Sequence, residues 1–83
     1  MNINELKESI INGMSKIVVD YHDNNSEDDM PIDELVVLDS LKYSVNWYKE
    51  WLKENINNFN LTHNQIDELV KECTFQTYHK FIK

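Results

Sequence analysis

The chain has 83 residues, a formal net charge of −7, a single cysteine and no arginine. Arginine is the preferred bidentate reader of phosphate and of guanine edges, so an acidic chain without it is a poor partner for nucleic acid or for an anionic membrane surface. One glycine and one proline are too few for a turn-rich β fold, and 41% hydrophobic residues are too many for a disordered chain. The expectation is a single all-α domain over 1–83, soluble and cytoplasmic. Its opening "MNINELKESIIN" does not resemble a signal peptide, and its longest aliphatic run, Leu35–Leu38, is far short of the ~20 residues that span a bilayer.

The first element is predicted over 3–21. Ile3, Leu6, Ile10, Met14, Ile17 and Tyr21 recur in steps of three and four, with Ile11 and Val18 flanking. Asn2 can cap its start, with Glu5 three residues on. Gly13 interrupts the pattern and weakens the helix by roughly 1 kcal/mol relative to Ala.

A second helix is predicted over 31–57. Pro31 fits a first turn, and Asp33 and Glu34 follow where the positive end of the helix dipole favours anions. Val37, Leu38, Leu41, Val45, Tyr48, Leu52 and Ile56 fall on one arc about 100° wide. Val36, Tyr43, Trp47 and Trp51 form a stripe beside it, with Lys42, Asn46, Lys49 and Lys53 on the wet face. Two stripes are more than one neighbour can cover, so this helix either lies between the other two or shows aromatics to a partner.

"NNFNLT", residues 57–62, is the second break. The third helix, predicted over 62–81, opens with Thr62 and Gln65 at capping-box spacing and Leu61 placed to staple onto Ile66. Ile66, Leu69, Val70 and Cys73 make its core face, while Phe75, Tyr78 and Ile82 rotate away around the axis. The fold class is therefore a small three-helix bundle with an acidic loop between its first two helices.

Residues 20–39 hold Asp20, Asp23, Glu27, Asp28, Asp29, Asp33, Glu34 and Asp39 and no lysine, so the whole negative balance sits in one quarter of the chain. Such a concentration of charge steers and docks a basic partner. A calcium-responsive helix-loop-helix is the alternative. A twelve-residue frame from Asp23 resembles an EF-hand at Asp23, Asn25 and Glu34, but has Asp28 at the glycine position, Pro31 at the ninth and the longer Glu27 at the fifth. No metal site is therefore assigned.

Tyr43, Trp47 and Trp51 are of the types enriched in binding hot spots, although such residues also fill small cores. Cys73 has no histidine at helical contact spacing and reads as structural; His22, His63 and His79 lack metal-ligand spacing, and His63 is expected to be exposed. With no phosphate loop, nucleophile elbow or paired cysteines, no enzyme activity and no cofactor are expected. The expected function is non-catalytic binding to a protein with a basic surface, as a small acidic inhibitor or adaptor, for instance of a nucleic-acid-handling enzyme. The expected binding residues are Asp23, Glu27, Asp28, Asp29, Asp33, Glu34, Asp39, Tyr43, Trp47 and Trp51. A homodimer or larger homo-oligomer joined through the aromatic stripe is a further alternative.

Overall fold

The computed structural model describes residues 2–25 and 32–82, which form α1 (Ile3–Asn25), α2 (Glu34–Glu54), a single turn α3 (Ile56–Phe59) and α4 (His63–Phe81). The three long helices pack on one another, giving the expected all-α bundle. Its directions can be read from cross-helix contacts. Lys7 pairs with Glu72 at 3.0 Å and Lys80 donates to Ser15 at 3.3 Å, so α1 and α4 run parallel. Tyr78, late in α4, donates to Glu34, at the start of α2, so those two run antiparallel.

Helix ends follow local chemistry. Asn2 accepts the Glu5 N–H at 2.8 Å. The capping box at α4 is complete: Thr62 N–H donates to the Gln65 side chain at 2.8 Å and Gln65 N–H donates to Thr62 Oγ1 at 3.2 Å. At α2 the expectation needs correcting. Asp33 is not in the first turn but is the N-cap, accepting Val36 N–H at 2.9 Å, and the helix begins at Glu34. An aspartate in extended backbone satisfies an orphan amide there, a better use than a place inside the turn. Pro31 lies outside the described residues.

The single helix expected over 31–57 is broken. It stops at Glu54, and Asn55 folds its side-chain amide back onto the Trp51 carbonyl at 2.8 Å. One further turn then ends at Asn60, whose φ of 54° is left-handed, a conformation asparagine adopts more readily than most residues. In the other direction α1 runs past residue 21 to Asn25, so Asp23 is helical rather than in the loop. Tyr21 and His22 are half-buried, and this packing outweighs the weak propensity of the segment.

Leu6, Ile10, Met14 and Val18 bring α1 to the core at successive steps of four. Val18 was expected only to flank this face; it is fully buried, whereas Ile3 is exposed. The core face of α4 is the expected set, Ile66, Leu69, Val70 and Cys73, extended by the wholly buried Thr77, whose hydroxyl donates to the Cys73 carbonyl at 2.7 Å. From α2 come Val37, Leu41, Tyr48 and Leu52, along with the wholly buried Ser40 and Ser44. Each of these serine hydroxyls donates to the carbonyl one turn back, at 2.8 Å, so the polar atoms are satisfied within their own helix.

Gly13 is the main surprise of the packing. A Cβ at this position would overlap the phenolic oxygen of Tyr48 and lie 3.1 Å from its Cζ. The glycine is thus the notch into which Tyr48 fits, and its small helix penalty permits close approach of α1 and α2.

Candidate protein-binding surface

The end of α1 and the start of α2 bring Asp23, Asp33, Glu34 and Asp39 to one end of the bundle, all exposed. Two of them already have structural work. Asp33 caps α2, and Glu34 accepts a hydrogen bond from Tyr78 Oη at 3.1 Å. Partial burial, then the Glu34 hydrogen bond and charge, hold the Tyr78 phenol above its ordinary value. Asp23 lies 3.4 Å from His22 Nδ1. Glu27, Asp28 and Asp29 lie outside the described residues. So does the middle of the EF-hand-like frame, and among the described residues no three histidine, cysteine or acidic side chains are grouped to hold a metal ion.

The aromatic stripe divides. Trp51 is half-buried, stacked on Trp47 with ring centroids 6.1 Å apart and tilted against Phe59 at 5.4 Å. Tyr43 and Trp47 remain 63% and 47% exposed. Trp47 is buttressed edge-on by Tyr48, centroid to centroid 4.9 Å, so its ring is positioned rather than loose. At about 100° per residue, Asp39, Glu50 and Glu54 share the flank of Tyr43 and Trp47, and all three are exposed. Lys42, Lys49 and Lys53 fall on the other flank. α2 therefore carries its acids and exposed aromatics on one side and its bases on the other.

Leu38 corrects the sequence reading. It was grouped with the core arc but is 45% exposed, at the edge of that arc, beyond the fully buried Leu52 and the half-buried Val45. With Val45 it forms one wall of a groove whose other wall is α4. Sequence reasoning missed this groove: Lys42 and Lys49 were read simply as a wet face. The available signal was Phe75 and Tyr78 turning off the α4 core face; that they turn toward those lysines is decided by the packing of α2 on α4.

Cys73 is buried, and its thiol donates to the Lys7 carbonyl at 3.7 Å. Burial and then the Glu72 charge push it up to about 11, with Lys7 opposing, which is the setting of an inert structural thiol. Burial likewise raises the Tyr48 phenol, with a smaller contribution from Cys73. His63 is exposed. No described helix is long and apolar enough to cross a membrane. Comparison with protein-family models, with curated proteins and with solved structures returned no match to this chain.

Proposed function

We propose that the protein is a non-catalytic binding module that docks on a basic surface of another protein through the acidic, aromatic flank of α2 and the acid-rich end beside it. The observation that carries this reading is the exposure of Tyr43 and Trp47 on the flank that also bears Asp39, Glu50 and Glu54. Rigid, amphipathic aromatics supply buried area, and surrounding carboxylates supply steering and selectivity for positive charge. Because Asp33 and Glu34 serve the fold, Asp39, Tyr43 and Trp47 are the stronger determinants, with Trp51 as the support of Trp47. A small acidic inhibitor or adaptor is the class of protein that such a surface fits.

The test is affinity capture from the native cell with wild type, a Tyr43→Ala/Trp47→Ala variant and an Asp39→Lys variant, at low and high salt. Basic proteins held by wild type, shed at high salt and lost from both variants are expected. Capture unchanged by the variants and by salt refutes the reading. A homodimer seen by light scattering and dissolved by Trp47→Ala would instead assign the flank to a second copy.

A further inference from the structure

The opposite flank of α2 presents a surface of different shape and sign. Leu38 and Val45 face Val70, Thr74 and Phe75 of α4 across a groove of about 750 Å³, with Tyr78 closing one end. Phe75 is 64% exposed, an aromatic side chain standing in the groove wall with little to cover it. Lys42, Lys49 and Lys71 stand along its lips, against one carboxylate, Asp67, in the lining. Among the described residues none of the three lysines has a carboxylate within ion-pair distance. Within its lining the trough is thus rimmed by more positive than negative charge, with Glu68 and Glu72 bordering Lys71 and Phe75 on their outer side, in a protein whose net charge is −7.

We propose that this groove receives an acidic amphipathic helix of a partner protein, which completes a four-helix bundle. Two features select a helix. On α2 the lining is Leu38, Leu41, Lys42, Val45 and Lys49, spaced by threes and fours along one face, so the trough runs parallel to the helix axis. Those residues cover about 16 Å, three turns of an incoming helix. Two features select acid. The Tyr78–Glu34 pairing sets an antiparallel register in which Lys42 and Lys71 come about level on opposite lips, so an acidic side chain entering the groove meets a lysine on either side. Lys49 stands two turns, about 10 Å, from Lys42, which matches carboxylates one heptad apart on a helix and is too far for one small anionic head group.

This surface is separate from the acidic flank, so the two proposals can fail independently. The probe is a two-heptad peptide with leucine at a and d and glutamate at e and g, which stays monomeric and largely unfolded alone because its glutamates repel. Titration into the intact protein is followed by peptide circular dichroism and by amide chemical shifts. Expected are a gain of peptide helicity and shifts concentrated on 38–49 of α2 and 67–79 of α4. Phe75→Ala should weaken binding roughly tenfold, and Lys42→Glu/Lys71→Glu should weaken it on the order of tenfold while a lysine-flanked peptide improves. All of these side chains are at the surface, and the melting temperature of each variant confirms that the fold is kept.

Several results would overturn the proposal. They are no binding up to millimolar peptide, equal binding of acidic and basic peptides, and shifts centred on Tyr43 and Trp47. Dodecanoate occupying the groove that the peptide ignores would do so as well. So would mass that grows with concentration by light scattering, since a second copy would then be the occupant.

Discussion

The two flanks of α2 each set apolar side chains beside charged ones, but with opposite sign of charge and opposite shape. On one, Tyr43 and Trp47 project beside Asp39, Glu50 and Glu54; on the other, Leu38 and Val45 recess beside Lys42 and Lys49. Between them runs a buried spine of Val37, Leu41, Tyr48 and Leu52. A helix with one neighbour needs one apolar face. α2 has α1 and α4 to cover its spine, and apolar residues remain on both sides of it. A small bundle with little else to bury has no structural need for exposed aromatics at 43, 47 and 75, which is why both flanks read as binding surfaces.

This contrast between spine and flanks can be broken experimentally. The largest effect belongs to the spine: Leu52→Ala should cost about 3 kcal/mol, seen as a large loss in chemical-denaturation midpoint. If that variant were neutral, the spine would not be what holds α2. Next comes Gly13→Ala, which gains roughly 1 kcal/mol of helix propensity but forces Tyr48 out of its notch. A net loss of about 2 kcal/mol is expected, and Tyr48→Phe in the same background should recover part of it. A stabilised Gly13→Ala would show that the notch is unnecessary.

Alkaline pH probes the spine from the side of α4. Below its ordinary value of 9.0 the Cys73 thiol is neutral both folded and unfolded, and that stability is fully present. Between 9.0 and about 11 it ionises only in the unfolded chain, so stability should fall through that window, by about 2 kcal/mol. Cys73→Ala should flatten the fall in a series of melts; an unchanged slope would assign it elsewhere. Removing the α2 cap with Asp33→Ala should cost about 1 kcal/mol. The smallest effects belong to the flanks. Trp47→Ala should cost about 1 kcal/mol, because its ring packs on Tyr48 and Trp51, and Phe75→Ala no more than about 0.5 kcal/mol. A melting point that collapsed in either variant would move that residue from surface to core.

Much of the fold was legible in the sequence because it is local. The capping box at Thr62 and Gln65 needs only four consecutive residues, and the α4 core face needs only the helical period. The acid-rich end followed from composition and chain order. The misreadings arose where a distant residue decides the outcome. Gly13 looked like a flaw because its partner, Tyr48, is on another helix. Leu38 looked like core because periodicity gives an arc and not how far a neighbour reaches around it. The broken end of α2 at Asn55 turns on a side chain folding back to Trp51, and the start at Glu34 on Asp33 being worth more as a cap.

By itself, then, the sequence determined an acidic all-helical chain, an apolar stripe on each long helix with a second on α2, the caps at Asn2 and Thr62, and the segregation of charge into residues 20–39. Each of these depends on neighbours within a turn or two, where propensity and periodicity act. The tertiary structure alone decided which of the α2 stripes would be covered. It half-buried Trp51 while leaving Trp47 exposed, left Leu38 and Phe75 in the open and set three lysines around an apolar groove. Helix-to-helix distance and rotation decide these matters, and no spacing along a single chain contains them.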